Sequence, residues 1–181
     1  MNHGDHVRLL QDGIPGSGGP GPGGLWADFG SGTGAFTLAL ADLIQPDGEI
    51  YSIDQDRTAL RQQEQAMRAR FPAVTVHYRA ADFTQPLDLP PLDGIVMANS
   101  LHFIRNKLPV VKLIRDYLAP GGRLILVEYD TDQGNRWVPY PLSFPIWQTL
   151  AAQAGFVRTT QIAARASSFL NQFYSALSLR E

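Results

Sequence analysis

The sequence predicts an α/β fold, in which two layers of helices enclose a doubly wound, mostly parallel sheet with an antiparallel last strand. Short apolar segments alternate with helical patterns of about 10–15 residues, a spacing typical of right-handed crossovers between parallel strands. A glycine-rich turn directly follows the first apolar segment. The last two strand-like segments are separated by a short gap, which permits a hairpin but no crossover.

Length and composition fit one such domain. The chain has 181 residues, 15 Lys and Arg against 17 Asp and Glu, and no cysteine. About 100–200 residues form one domain, which we place at 25–181, after a short N-terminal segment and linker at 1–24. The near-neutral charge argues against general binding to nucleic acid or anionic membranes. Without cysteine, disulfides and thiolate-bound metals are excluded. Since no secretory or membrane-spanning segment is evident, we expect a cytoplasmic protein.

The elements follow in order along the chain. A short helix is predicted over 5–11, and the glycine- and proline-rich residues 13–24 have almost nothing apolar to bury, so we expect a mobile linker there. Short apolar or β-branched runs predict strands at 25–29, 49–53, 73–78, 93–98, 123–129, 156–164 and 169–179. Helical periodicity predicts helices at 35–44, 57–71, 107–118 and 144–154.

The ligand of an open parallel sheet lies at the carboxyl ends of the strands, beside the point where strand order reverses. The first of these ends carries the loop of Gly30, Ser31, Gly32 and Gly34. Glycine takes positive φ and lets a ligand approach the backbone at a helix N-terminus. The loop also fits a dinucleotide pattern that ends at Ala35, and a tight turn without any ligand is the remaining alternative.

Acidic residues at the strand ends help to choose between ligands. Beside Asp28, a pyrophosphate would be repelled by on the order of 4 kcal/mol at about 4 Å and an effective dielectric of 20, whereas a cation would be attracted. Asp54 can accept hydrogen bonds from both ribose hydroxyls. The alternatives are that Asp28 caps the turn's own amides and that Asp54 caps the next helix, although Asp56 is better placed for that cap. Asp82 and Phe83 are positioned to contact an adenine, or they form an ordinary surface turn.

The order and spacing of five segments resemble those of the class I S-adenosylmethionine-dependent methyltransferases, which have a Rossmann-like fold. The resemblance covers about residues 25–180. The segments are Asp28-Phe-Gly30-Ser-Gly32-Thr-Gly34, Ile53-Asp54, Ala81-Asp82-Phe83, Leu118-Ala-Pro120-Gly121-Gly122 with the apolar run after it, and Ala154-Gly155-Phe156.

This resemblance implies a seven-stranded sheet, S-adenosylmethionine as cofactor and a small-molecule methyl acceptor. It also implies roles for the site residues: Asp28, Gly30, Gly32 and Gly34 at the methionine part, Asp54 at the ribose, Asp82 and Phe83 at the adenine, Gln55 beside the adenine and Asn99 beside the methionine part. Strand four does not end in the Asn/Asp-Pro-Pro-Tyr motif of enzymes that methylate amines of bases or glutamine, so those acceptors are disfavoured.

Two residues are candidates for catalysis. His102 is the only histidine near the predicted cleft, and an imidazole can take a proton from a hydroxyl or enol near neutral pH. Tyr129, at the end of strand five, could contact the acceptor. In the alternative interpretation, His102 lines the cleft without proton transfer and Tyr129 covers the core. His3 and His6 have a His-x-x-His spacing, but two histidines at a chain end make a poor metal site, so we predict no metal.

Two other functions stay open. An NAD(P)-dependent oxidoreductase is supported by the glycine pattern and Asp54, but Asp28 and the lack of a Tyr-x-x-x-Lys pair count against it. The second alternative function is that of a non-catalytic partner subunit that binds S-adenosylmethionine. Because only a short segment precedes the first strand, we expect the cleft to be open, or covered by a second copy in a homodimer or by a partner chain.

Overall fold

The computed structural model describes residues 1–16, 23–44, 47–170 and 172–181. Its strands are β1 (Gly24–Phe29), β2 (Gly48–Asp54), β3 (Thr75–Ala80), β4 (Leu92–Ala98), β5 (Leu118–Tyr129), β6 (Arg158–Ala166) and β7 (Gln172–Leu179). Its α-helices are α1 (His3–Leu10), α2 (Ala35–Ile44), α3 (Arg57–Arg70), α4 (Lys107–Tyr117) and α5 (Phe144–Ala154). Single-turn 3-10 helices follow α1 and β4, at Gln11–Gly13 and Leu101–Phe103.

All seven strands form one sheet, in the order β3-β2-β1-β4-β5-β7-β6. Strands β1 to β5 pair in parallel, and β7 runs antiparallel to both β5 and β6. The predicted fold class is therefore confirmed, including the reversed last strand. Since β1 lies between β2 and β4, the strand order reverses at β1, and the carboxyl ends of these strands are where a ligand is expected.

Successive side chains of the central strands point to opposite faces of the sheet, which divides the core into two layers. Ala27 and Phe29 of β1 pack on the face covered by α4 and α5, where Trp147 is fully buried. The side chain of Trp26 points to the opposite face and belongs to the cluster formed with α1 and α2. Asp28 lies two residues after Trp26, so its side chain is on the same face, the α2 side of the sheet.

Helix α1 lies on the domain rather than apart from it. Leu10 is fully buried in the cluster that includes α2, and Ile14 is also buried there. Half of the predicted linker of residues 13–24, residues 17–22, lies outside the described residues. A mobile linker would leave the N-terminal helix separate from the domain, but α1 packs on the domain because its few apolar residues are buried there. The domain boundary after residue 24 stays a prediction.

Some element boundaries differ from the prediction for local reasons. Helix α1 begins earlier than predicted because the Asn2 side chain caps it. β3 ends later, since its pairing with β2 continues to Ala80 opposite Asp54. β7 begins later because the N–H groups of Phe169 and Leu170 bond to Ser167 Oγ in a turn. No helix in the described parts of the chain is long and apolar enough to cross a membrane.

Candidate functional site

The glycine loop after β1 has the conformation that its sequence predicts. The φ angles of Gly30, Gly32 and Gly34 are +79°, +52° and +89°. Residues that have a Cβ rarely adopt such values. The N–H of Gly30 donates to the carbonyl of Ile53, at 2.8 Å. A Cβ at Gly30 would lie 2.4 Å from Ser100 Cβ, so the loop passes directly over the end of β4.

Asp54 fastens the loop to the end of β2. Its Oδ2 accepts the N–H of Gly32 at 2.8 Å, and its Oδ1 accepts the N–H of Asp56 at 2.8 Å. Asp56 itself caps α3 by accepting the N–H groups of Thr58 and Ala59, as the sequence predicted. A carboxylate has about four acceptor positions, so Asp54 keeps lone pairs for a ligand beside the loop.

A buried polar cluster supports the loop from behind. Ser52 Oγ lies 2.8 Å from Ser31 Oγ and 2.9 Å from Gln63 Oε1. Gly34 lies against the same glutamine, because a Cβ there would be 2.3 Å from Gln63 Cγ. Ser31 and Gly34 therefore fix the loop to α3 and β2.

A cavity of about 320 Å³ opens at the carboxyl ends of β1 to β4. Its lining consists of Gly30, Asp54, Gln55, Asp82, Phe83, Thr84, Asn99, Ser100, Phe103 and Ile104. Phe83 lies parallel to Phe29, with ring centroids 6.3 Å apart. Asp82 Oδ1 accepts both the N–H and the Oγ1 hydroxyl of Thr84, which fixes this loop in shape. The site residues predicted for ribose and adenine are thus together in one cavity.

A second cavity, of about 260 Å³, lies on the other side of the glycine loop. Its lining consists of Met1, His6, Asp28, Gly30, Ser31, Gly32, Thr33, Ala35, Phe36, Ala98 and Asn99. Asp28 is only 1% exposed, and its Oδ2 accepts the Thr37 hydroxyl at 2.6 Å. The pKa of Asp28 is raised to about 7, mainly by burial; the Thr37 hydrogen bond lowers it in part, and the nearby charge of Asp54 adds to the increase.

Asn99 joins the two cavities, since both are lined by it and by Gly30. It has a φ of +54°, a left-handed conformation that asparagine tolerates better than most residues. Its N–H donates to the carbonyl of Val127 at 2.9 Å. Its Oδ1 is buried and has no hydrogen-bond partner among the described residues. The Asp28 cavity therefore contains a buried carboxyl and a buried amide oxygen without a partner among the described residues, and it adjoins the cavity of Asp54 and Phe83.

The two predicted catalytic residues line neither cavity. His102 is buried, and its Nδ1 lies 2.7 Å from Glu128 Oε2. Glu128 is fully enclosed, and its Oε1 also accepts the N–H groups of Leu101 and His102. The Tyr129 ring is 6.2 Å from the imidazole. His102 Nε2 makes no hydrogen bond within the described residues. It is not one of the enclosed polar atoms without a partner, so this nitrogen is accessible.

The sequence prediction missed several residues of the cleft. Phe103 and Ser100 lie in the segment after β4 that the fold predicted to be near the ligand, but their residue types gave no signal. Glu128 was missed as the partner of His102. The spacing of His6 suggested only a metal ligand, whereas this residue lines the Asp28 cavity. Within the described residues, no group of three or more His, Cys, Asp or Glu side chains could hold a metal ion.

Comparisons with known proteins agree with this geometry. A family model described as a methyltransferase domain matches residues 27–124, more than half of the chain. A demethylmenaquinone methyltransferase of Anoxybacillus flavithermus is 30% identical over 103 residues, 56% of this chain and 43% of that protein. The ubiquinone/menaquinone biosynthesis C-methyltransferase UbiE of Pasteurella multocida is 28% identical over 104 residues, 56% of this chain and 38% of that protein. The chain thus spans less than half the length of these relatives.

Solved structures share the fold. A SAM-dependent methyltransferase from Aquifex aeolicus superposes with a TM-score of 0.73 at 17% identity, covering 98% of this chain and 90% of that one. The N-terminal domain of EvdMO1 with SAH bound has a TM-score of 0.73 at 19% identity, covering 100% and 82%. The family match decides against the nicotinamide-dependent alternative, and the chain belongs to the class I S-adenosylmethionine-dependent methyltransferases.

Proposed function

We propose that this chain binds S-adenosylmethionine across the two cavities and transfers its methyl group to a small-molecule acceptor. The observation that carries the proposal is the pair of buried acceptors at one end of the cleft, the Asp28 carboxyl and Asn99 Oδ1. S-Adenosylmethionine carries an ammonium, a carboxylate and a sulfonium at its methionine end, and the ammonium can donate to both of these acceptors. Its adenosine end offers ribose hydroxyls and an aromatic ring, and Asp54 and Phe83 line the other cavity.

The residues present fit this cofactor. Asp28 and Asn99 would hold the methionine part, Asp54 would accept the ribose hydroxyls, and Phe83 with Asp82 would contact the adenine. The glycine loop leaves room beside it, because a Cβ at Gly32 would meet nothing within 4 Å. Once bound, the cofactor supplies a methyl group already activated by its sulfonium, so the protein mainly orients the acceptor and excludes water.

The acceptor that we propose is a flat, apolar ring. The relative from Anoxybacillus is, by name, a demethylmenaquinone methyltransferase, and the relative from Pasteurella is a ubiquinone/menaquinone biosynthesis C-methyltransferase. In this chain Phe103, which lines the cleft, is 59% exposed, and Phe169 is 50% exposed. Tyr129 lies between Phe169 and His102, at centroid distances of 5.9 and 6.2 Å. These rings form an aromatic wall at the carboxyl edge of the sheet, where such an acceptor could stack.

His102 is the group that we propose takes a proton from the acceptor, and Glu128 positions it. A carboxylate on Nδ1 holds the imidazole in the tautomer with the lone pair on Nε2. Glu128 cannot turn away easily, because two backbone N–H groups also bind it. Tyr129 would contact the acceptor ring. A base is needed because a carbon or oxygen nucleophile must lose its proton as the methyl group is transferred.

Calorimetry tests cofactor binding. The wild type should bind both S-adenosylmethionine and S-adenosylhomocysteine, and Asp54→Ala should weaken both by about 10–100-fold, since a hydrogen bond to a charged group contributes about 1.5–3 kcal/mol. Asp88→Ala, at an exposed carboxylate outside the cleft, is the matched control. Unchanged binding by Asp54→Ala, or no binding by the wild type, would refute the cofactor site.

Turnover with a panel of phenols and hydroquinones tests the acceptor and the base. His102→Gln should lower kcat by about 100-fold or more, the usual contribution of a general base, while S-adenosylhomocysteine binding stays unchanged. Glu128→Gln should lower kcat less than His102→Gln does, because the imidazole remains but loses the carboxylate that orients it. Tight cofactor binding without turnover of any acceptor would instead favour the non-catalytic partner subunit.

A further inference from the structure

Helix α1 is held rigidly at its first turn. Asn2 and Asp5 form a reciprocal capping box, with the N–H of Asn2 2.9 Å from Asp5 Oδ2 and the N–H of Asp5 3.0 Å from Asn2 Oδ1. Such a box satisfies two backbone donors that the helix start would otherwise leave free. Asp5 is also ion-paired with Arg8 of the same helix and with Arg165 of β6. The position of α1 is therefore fixed against the sheet as well as within itself.

The rest of the helix is anchored at two further places. Its carbonyl at Leu9 accepts the Ser175 hydroxyl of β7 at 2.5 Å, in a buried hydrogen bond. On the side facing α2, His3 Nε2 lies 3.0 Å from Asp42 Oδ2. Because these contacts reach α2, β6 and β7, the side chains of α1 have defined neighbours in the fold.

One of those side chains reaches the cleft. His6 stacks at an angle on Phe36 of α2, with centroids 4.7 Å apart, and both residues line the cavity that contains Asp28 and Asn99. Burial lowers the pKa of His6, and the nearby N-terminal ammonium lowers it further. At neutral pH the imidazole is therefore uncharged, and one of its nitrogens can accept a hydrogen bond.

We propose that His6 belongs to the cofactor site and, with Asp28 and Asn99, binds the methionine end of S-adenosylmethionine, so that α1 closes this end of the cleft. The inference rests on the proposed cofactor site. Among the described residues, His6 is the member of α1 that lines the Asp28 cavity, whereas the lining of the adenosine cavity includes no residue of that helix. The effect of His6 should thus depend on whether the ligand has a methionine end.

Two ligands separate this role from a general effect on the fold. S-Adenosylhomocysteine has the amino-acid end, whereas methylthioadenosine keeps the adenosine and lacks it. We expect His6→Gln to weaken S-adenosylhomocysteine binding by about 10-fold, the effect of one hydrogen bond to a charged partner, and to leave methylthioadenosine binding unchanged.

His3→Gln is the matched control, since His3 lies on the same helix, bonds to Asp42 and does not line the cavity. Calorimetry is run on all variants, with circular dichroism and thermal unfolding to confirm that each one folds. Equal affinities of His6→Gln and His3→Gln for S-adenosylhomocysteine would overturn the inference. An equal loss for both ligands would also overturn it. If the wild type binds neither ligand, the proposed cofactor site itself is wrong.

Discussion

The buried carboxyl of Asp28 should make the stability of this protein depend on pH in a way that one substitution removes. Its pKa is raised from 3.8 to about 7, mainly by burial. A difference of about three pKa units corresponds to about 4 kcal/mol between the two protonation states. Because the pKa of the folded state is above that of the unfolded state, the contribution of the protonated carboxyl to the free energy of unfolding is complete below pH 3.8. It is lost as pH rises through about 7.

Asp28→Asn keeps the shape and the acceptor for Thr37 but cannot ionise. The free energy of unfolding of the variant, relative to the wild type, should therefore increase with pH, by about 2 kcal/mol between about pH 5.5 and 8. The amide's own burial costs about 1–3 kcal/mol if its donors find no partner. That cost is the same at every pH, so the change with pH is the quantity that tests the reasoning.

Urea unfolding of the two proteins at several pH values between about 5.5 and 8 measures this difference. Asp88→Asn, at an exposed carboxyl, serves as the control and should follow the wild type. A constant difference between Asp28→Asn and the wild type would refute a buried carboxyl that titrates near neutral pH. S-Adenosylhomocysteine binding should meanwhile fall by about 10–100-fold, since the variant loses the charge that would meet the ligand's ammonium.

Two further substitutions test the packing around the site. Gly34→Ala should lower the free energy of unfolding in urea by about 2–4 kcal/mol, because φ is +89° and the new Cβ would lie 2.3 Å from Gln63 Cγ. An unchanged free energy would show that α3 can shift away from the loop. Tyr174→Phe should leave the free energy of unfolding unchanged or raise it by about 1 kcal/mol in the same assay, since the buried hydroxyl has no hydrogen-bond partner within the described residues. A clear decrease in the free energy of unfolding would contradict this.

The features that sequence predicted correctly are those with local causes. The alternation of strands and helices, the glycine turn after β1 and the cap at Asp56 each depend on residues within a few positions of one another. Asp54 and Phe83 could be placed at the cleft because the fold class fixes where the strand ends meet. Their roles toward a cofactor remain proposals, but their positions follow from the order of the strands.

The features that sequence missed depend on contacts between distant parts of the chain. Leu9 and Ser175 are 166 positions apart, and their hydrogen bond helps to hold α1 on the sheet. His102 and Glu128 are 26 positions apart and meet because β4 and β5 are neighbours. No periodicity encodes either pair. Consequently, the sequence predicts neither the docking of α1 on the domain nor the carboxylate that binds His102.

The buried polar groups around the glycine loop favour a cation over an anion. Asp28 and Asn99 Oδ1 are hydrogen-bond acceptors in an enclosed position, and a free buried acceptor costs about 1–3 kcal/mol. A pyrophosphate would add further acceptors and negative charge, whereas an ammonium would donate to both groups. Departures from the usual rules of a core are expected where a protein binds its ligand. Because Asp28 and Asn99 Oδ1 are both acceptors, a single ammonium could donate to both of them, which is the role that we propose for the ammonium of S-adenosylmethionine.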